Sequence, residues 1–393
     1  MKIVGPRRGF KLGYRCVYKD KKIYAYAWGP VSILCYSFPE GKKLFEIGRV
    51  GGESGYFPGG NFAVIGDING DGFREIATPE VWAGKELLIF SGKDGSYLRR
   101  VRSSGVVFWT PHTTILPSFD HNGDRIDDLL VNGRLYLFLV SGKDFALLRK
   151  FVLSEMGLIE YMGMTPDLDG DGREDFLIVR KERGSSSPAF VYLSSSRGKI
   201  LKSWYLRLRD SNPPRVTGLS GGENAPLILK DLDGDSFPEV VLSASEKYTF
   251  EGTTYTGNIL VCFSSLNGKE IWRIKGWKLT RKESLAFSFA SRITYPDLNG
   301  DNIEEIIVAY RGEYIKENDP VIYLLIFSGK DGRLLGKKRI EEIRSCSAML
   351  YEIIPDMDGD GRGEILLGAT DYNGEGKEDT GGVFVISSRL LTS

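Results

Sequence analysis

The feature that most restricts how this 393-residue chain can fold is a nine-residue acidic pattern, D-x-[DN]-x-D-x-x-x-[DE], which occurs six times. The copies begin at Asp67, Asp120, Asp167, Asp231, Asp297 and Asp356, at intervals of 53, 47, 64, 66 and 59 residues, and the fourth position is glycine in all six. A repeat of this kind marks a solenoid, a propeller or an array, because a single unit cannot bury its own apolar face. Every copy has the same surroundings. An apolar run leads in, as at Phe62-Ala63-Val64-Ile65, and a β-rich run leads out, as at Glu305-Ile306-Ile307-Val308-Ala309. A third run ends in a tight turn, Leu87 to Gly95, and a fourth follows, Tyr97 to Val101. The turn recurs as VSGKDFALL, SSSRGKILK, SSLNGKEIW and FSGKDGRLL. Its Gly-Lys and Asp-Gly centres tolerate φ > 0, the requirement of a hairpin turn. The unit is therefore a four-stranded antiparallel meander, strands A to D, with the acidic loop between A and B.

Residues 13–48 read as one more unit without the acidic loop, with strands YRCVY, KIYAYAW, SILCYSF and KLFEIG. That makes seven units in one domain, 1–393, at approximately 9–48, 56–101, 106–152, 157–206, 222–274, 284–340 and 346–393. The last unit has strands A (348–355), B (364–369) and C (383–387) and then almost no chain. Its fourth strand is expected from Lys2-Ile3-Val4, with Leu390-Leu391-Thr392 as the alternative. Four-stranded sheets repeated radially make a β-propeller, which leaves only short, protected edges. A linear solenoid would need polar caps, and none is evident. The expected fold is all-β, a seven-bladed β-propeller.

Composition narrows the setting. No run of about 18 uncharged apolar residues exists, so neither a transmembrane helix nor membrane insertion is expected. The N-terminus shows no apolar h-region, which points to a cytoplasmic chain or one trimmed of its leader. Glutamine is absent while Lys, Arg, Asp and Glu make up 26% of residues. Loss of a thermolabile amide beside abundant charge suggests a thermophilic source. The four cysteines, at 16, 35, 262 and 346, have no metal-ligand spacing.

The loop D-x-[DN]-x-D-G-x-x-[DE] followed by an apolar strand resembles the FG-GAP and VCBS repeats, the family that includes the head of the integrin α chain. The resemblance runs over about residues 50–390. Gly55-Tyr56-Phe57-Pro58-Gly59-Gly60 approximates the FG end of that repeat and Leu367-Gly368-Ala369-Thr370 the GAP end. It implies a calcium-binding propeller, and it implies that partners are met on the face away from the calcium loops. The hairpin Ile259–Trp272 also looks like one quinoprotein-type repeat, read here as convergence because no other unit ends in tryptophan.

Calcium takes six to eight hard oxygens in flexible geometry. Acids or Asn at positions 1, 3 and 5 turn toward one centre, the carbonyl of position 7 adds an oxygen, and the acid at position 9 closes the cage. The six expected sets are Asp67, Asn69, Asp71 and Glu75; Asp120, Asn122, Asp124 and Asp128; Asp167, Asp169, Asp171 and Asp175; Asp231, Asp233, Asp235 and Glu239; Asp297, Asn299, Asp301 and Glu305; and Asp356, Asp358, Asp360 and Glu364. Up to six Ca²⁺ are expected. A metal-free Asx turn would not require the acid at position 9, and magnesium demands stricter octahedral geometry. Position 6 favours φ > 0, so Arg125 there makes the second loop the weakest.

Formal charge is zero, with 52 acids and 52 bases. The loops use 21 of the acids, so the remaining surface is basic and suits an anionic partner such as an acidic glycan. Antiparallel order sends A–B and C–D connections to one face and B–C and D–A connections to the other. The long connections 245–258, 311–320 and 371–381 (B–C) and 207–222 (D–A) all fall opposite the acidic loops. They carry Arg207, Arg209, Arg215, Tyr248, Phe250, Tyr255, Tyr314, Lys316 and Tyr372, expected to form one rim for a protein or anionic glycan. Trp28, Trp82, Trp109 and Trp277 map to the same face.

Catalysis leaves little trace. The only histidines are His112 and His121, and HExxH does not occur. The expected function is a non-enzymatic recognition or adhesion module, extracellular or at the cell surface, with no nucleic-acid partner. The alternatives are a polysaccharide lyase or hydrolase on the same scaffold, or a structural unit of a larger assembly.

Overall fold

A computed structural model describes residues 1–50, 61–80, 86–102, 114–133, 136–152, 157–182, 188–206, 226–279, 291–311, 321–344, 346, 348–373 and 378–392. The chain enters through β1 (Lys2–Val4). Blade 1 follows as β2 (Leu12–Lys19), β3 (Lys22–Ala27), β4 (Ser32–Ser37) and β5 (Lys43–Ile47). Blade 2 is β6 (Ala63–Val64), β7 (Ile76–Pro79), β8 (Leu87–Phe90) and β9 (Tyr97–Val101). Blade 3 is β10 (Ile115–Pro117), β11 (Leu129–Gly133), β12 (Tyr136–Val140) and β13 (Leu147–Phe151). Blade 4 is β14 (Gly157–Thr165), β15 (Asp175–Glu182), β16 (Pro188–Leu193) and β17 (Ile200–Tyr205). Blade 5 is β18 (Leu227–Leu229), β19 (Glu239–Phe250), β20 (Thr253–Phe263) and β21 (Glu270–Lys275). Blade 6 is β22 (Arg292–Tyr295), β23 (Glu305–Arg311), β24 (Val321–Ser328) and β25 (Leu334–Arg344). Blade 7 has β26 (Met349–Ile354), β27 (Glu364–Ala369) and β28 (Gly382–Ile386), and a short helix, α1 (Arg389–Thr392), ends the chain.

These strands form seven four-stranded antiparallel sheets, and the fold is a seven-bladed propeller. Blade 7 is completed by β1, which lies on β28 with Lys2 opposite Phe384, Ile3 opposite Val383 and Val4 opposite Gly382. Leu390–Thr392 is helical, so it is not the fourth strand. Six of the seven C–D pairs carry a one-residue register shift just before the turn, as at Ile89/Phe90 and Cys262/Phe263. Such bulges increase local twist and re-aim the turn.

Burial explains the runs of apolar residues in strands B and C. Alternate residues of a strand point to opposite faces. In β24, Ile322, Leu324 and Ile326 pack in one cluster with blade 7, while Val321, Tyr323, Leu325 and Phe327 pack in another with blade 5. All eight β24 side chains are buried. The buried residues fall into seven clusters, each shared by two neighbouring blades. Outer-strand rings add a second seam. Phe45 faces Gly95 of the next blade, Trp204 faces Gly268, and Trp272 faces Gly332 while its Nε1–H donates to the Gly329 carbonyl at 2.9 Å. Trp272 is therefore not alone. Trp204 serves the preceding blade in the same way, although its spacing from the turn differs.

The seam between blades 7 and 1 closes the ring. Ile3, Leu12 and Cys16 pack with Leu366, Val383 and Val385. The Tyr351 hydroxyl donates to the Gly13 carbonyl at 2.8 Å, and the Tyr18 N–H donates to the Glu352 carboxylate. Burial pushes the Glu352 carboxyl up to about 7, against the pull of the Tyr18 N–H and Arg15.

Two outcomes follow at this seam. Ile3→Asp puts a charge into the blade 7 to blade 1 cluster and should lower stability by about 3 kcal/mol or more in denaturant titrations. Glu352 binds a proton in the folded protein at pH values where the unfolded chain has lost it. Its contribution to stability is therefore lost as pH rises from the ordinary carboxylate range through about 7. At fixed calcium, Glu352→Gln should flatten the pH dependence of stability across that window by about 2–3 kcal/mol. Parallel wild-type and variant curves would show that the carboxyl is not perturbed.

Candidate metal centres

The six acidic loops share one backbone design. The acid at position 9 begins strand B or immediately precedes it, which drops its side chain under the loop. Glu75, Asp128, Asp175, Glu239, Glu305 and Glu364 are all buried. Each accepts the N–H of position 2, from Ile68, His121, Leu168, Leu232, Leu298 and Met357 at 2.6–3.1 Å. The position 1 carboxylate accepts the N–H groups of positions 4 and 6 at 2.6–2.8 Å in every loop. The position 5 carboxylate accepts the N–H of position 7 at 2.9–3.0 Å. These bonds require positive φ at positions 4 and 6. Position 6 has φ of 71–86° in all six loops, including the non-glycine residues Arg125, Ser236 and Asn302.

Four loops bring their acids together. Asp231, Asp233, Asp235 and Glu239 each place a carboxylate oxygen within 4.8 Å of the others, as do Asp67, Asp71 and Glu75; Asp167, Asp169 and Asp175; and Asp356, Asp358 and Asp360. These clusters could hold metal ions. In the three loops with Asn at position 3 the amide turns inward, and Asn69 Nδ2 donates to Asp71 at 3.4 Å. Asn122 Nδ2 donates to Asp124 at 3.0 Å, and Asn299 Nδ2 donates to Glu305 at 2.7 Å.

The floor of the loops tests whether a cation fits. The second oxygen of Asp128, Asp175 and Glu364 accepts an N–H from the C–D turn, from Gly142, Ser195 and Ser388 at 2.7–3.0 Å. Glu75 Oε1 and Glu239 Oε1 are buried with no donor. A carboxylate oxygen without donor or cation is costly to bury. An all-oxygen cluster with such an oxygen at its base fits a hard divalent cation. Burial, then the neighbouring Asp233, Asp231 and Asp235, push the Glu239 carboxyl up to about 8, and burial takes Glu305 to about 7. Asp297 and Asp356 go the other way, held low by the N–H groups of Asn302 and Gly361. A metal entering such a loop displaces a proton from its floor.

The C–D turn supplies contacts that the nine-residue pattern does not contain. The Ser196 hydroxyl donates to Asp171, Ser264 to Asp235 at 3.0 Å, Ser387 to Asp358 at 2.5 Å and Ser388 to Asp360 at 2.7 Å. A signal for them exists in the sequence. Blades with Asp at loop position 3 have Ser-Ser at the turn (194–195, 264–265, 387–388), and blades with Asn there have Ser-Gly (91–92, 141–142, 328–329). In the Ser-Gly blades the turn sits against the position 8 carbonyl. A Cβ on Gly92, Gly142 or Gly329 would meet the carbonyl oxygen of Arg74, Asp127 or Glu304 within 2.0 Å.

The opposite face differs from expectation in two places. Residues 245–258 are not a loop. They continue β19 and β20 as a two-stranded ribbon that turns at Glu251-Gly252, where φ is 48° and 76°. A hairpin turn of this type tolerates the two positive φ values, and the alternation of Thr and Tyr suits a strand. Tyr248, Phe250 and Tyr255 lie half-buried on it. The Tyr248 ring stacks on Trp277 at 4.2 Å and 2°, and on Tyr255 at 5.8 Å. Tyr372 is not a rim residue. It is 8% exposed, packs edge-on to Phe384, and its hydroxyl meets Lys2 Nζ at 2.6 Å. Arg207, Arg209, Arg215, Tyr314 and Lys316 lie outside the described residues, as do Trp82 and Trp109. Trp28 is 55% exposed against Tyr14, and Trp277 is buried. Among the described residues no helix is long and apolar enough to cross a membrane.

No family model matches the chain. Protein FAM234B of Gallus gallus is 29% identical over 180 residues, which is 43% of this chain and 24% of that protein, a distant homologue of which the chain spans about a quarter. Among solved structures, Kuenenia stuttgartiensis hydrazine synthase matches with a TM-score of 0.54 and 11% identity, covering 99% of this chain and 98% of that one. The virginiamycin B lyase of Staphylococcus aureus matches with a TM-score of 0.50 and 11% identity, covering 98% and 97%. At that identity the likeness is one of fold.

The shared φ at position 6 gives a direct test. Arg125→Gly should be neutral or stabilising by up to about 1 kcal/mol, since relief of the left-handed conformation is partly offset by unfolded-chain entropy. Gly172→Arg should cost about 1–2 kcal/mol in the same denaturant assay. Equal and opposite signs to these would show that the loop backbone is not the constraint.

Proposed function

We propose that the chain is a calcium-binding propeller of the FG-GAP/VCBS kind that acts as a non-enzymatic recognition or adhesion module. The observation that carries this reading is the pair of donorless buried oxygens, Glu75 Oε1 and Glu239 Oε1, beneath convergent aspartates. Calcium suits these loops better than magnesium, because it accepts six to eight oxygens in flexible geometry whereas magnesium demands near-ideal octahedral geometry. Asp67, Asn69, Asp71 and Glu75 would hold one ion, and the five corresponding sets would hold the others. Asn122 and Asn299 would turn their amides over so that oxygen faces the ion. The ion's contribution is charge neutralisation that stiffens one face. The partner binds on the other face, which carries the aromatic ribbon of blade 5 and Trp28. A protein or an anionic glycan fits that chemistry. On this reading the chain works outside the cell or at its surface, where modules carry calcium sites of about 10⁻⁴–10⁻³ M.

Native mass spectrometry in calcium should show at least four bound ions. At a hundredfold excess over Kd each site adds about 2.7 kcal/mol, so chelation should lower the Tm by many degrees and open the loops to protease. An unchanged melt after verified metal removal would reduce the loops to turns. Glycan-array binding with and without chelator, followed by a turnover screen on acidic polysaccharides, separates recognition from a lyase or hydrolase.

A further inference from the structure

Loops three, four and six carry four carboxylates each, and in two of them an arginine of the chain itself pairs with the position 3 carboxylate. In loop three, Arg197 Nη1 lies 3.3 Å from Asp169 Oδ2, and that aspartate side chain is 6% exposed. Neither Asp169 oxygen has a hydrogen-bond donor, so the ion pair is what faces it. In loop six, Arg389 Nε lies 3.3 Å from Asp358 Oδ1, and Nη2 donates to the Asp358 carbonyl at 2.6 Å. The floors match these lids. Asp175 receives Leu168 and Ser195 N–H, and Glu364 receives Met357 and Ser388 N–H, so both oxygens of each are satisfied.

Loop four has neither provision. Glu239 Oε1, fully buried, has no donor, and among the described residues no Lys or Arg pairs with Asp231, Asp233, Asp235 or Glu239. The turn position that bears Arg197 in blade 4 bears Asn267 in blade 5. The two turns are otherwise alike, with the Gly198 N–H on the Ser194 carbonyl at 2.9 Å and the Gly268 N–H on the Ser264 carbonyl at 2.8 Å. Arginine is not needed to make that turn. Asn267 accepts the Lys269 N–H at 2.7 Å, and Asp94, Asp144 and Asp331 make the same bond at 2.9–3.0 Å in blades 2, 3 and 6.

We propose that Arg197 and Arg389 are tethered counter-cations that weaken calcium binding at loops three and six, which leaves loop four the tightest of the three cation sites. This rests on the reading of the loops as calcium sites. A guanidinium on the position 3 carboxylate occupies an oxygen the ion would use, and it repels the divalent charge. At roughly 6 Å in a water-like dielectric that repulsion amounts to about a tenfold loss of affinity.

Hydrogen–deuterium exchange of peptides 167–175, 231–239 and 356–364 against free Ca²⁺ reads each loop separately. In the wild-type protein 231–239 should gain protection at the lowest calcium. Arg197→Gln should lower the midpoint of 167–175 by about five- to tenfold and leave 231–239 in place. Asn267→Arg should raise the midpoint of 231–239 by a similar factor. An unchanged or higher midpoint for loop three in Arg197→Gln, or an unmoved loop four in Asn267→Arg, overturns the counter-cation role. Absence of calcium-dependent protection in every wild-type loop overturns instead the calcium reading beneath it.

Discussion

The structure depends on burying both faces of every blade. A four-stranded sheet with apolar side chains on both sides has no stable exposure to water, and each blade meets that need only by lying between two others. The seven clusters are all inter-blade clusters, so no blade has a core of its own. Closing the ring is therefore a condition of stability for every blade. The pairing of β1 with β28, and the seam around Ile3 and Leu366, supply it.

That geometry also separates chemistry by face. With strand order A-B-C-D in every blade, the acidic loops and C–D turns share one end of the disc. The hydrogen bonds between them, such as Ser195 N–H to Asp175 and Ser264 Oγ to Asp235, exist because the topology makes them neighbours. The acids are thus concentrated on one rim. The other rim is left to the aromatic ribbon of blade 5 and to Trp28.

Much of this was legible in the sequence. A pattern repeated six times in one setting fixes strand order, and in four of the six loops at least three of the acids at the expected spacing converge. What could not be read were pairings between distant segments. The Ser-Ser turns act on loops 20–29 residues earlier in the chain, and only the fold shows that Gly92 lies where a Cβ would meet the Arg74 carbonyl. The 245–258 segment counts as a long B–C connection in the repeat, yet cross-strand pairing carries it on as ribbon. Tyr372 was placed on the rim because it follows strand B, but its ring had a cavity to fill beside Phe384. In each case tertiary packing overrode a local signal.

The hydrogen bonds within each acidic loop span seven residues or fewer. Further bonds tie the loop acids to the C–D turn of the same blade, from Gly142, Ser195 and Ser388 N–H and from the Ser264 and Ser388 hydroxyls. Both sets stay within one blade, so a substitution in one copy acts first on that copy. On the calcium reading proposed above, such a ring would answer an ion concentration in steps, copy by copy, where a single cooperative site would report only its presence or absence.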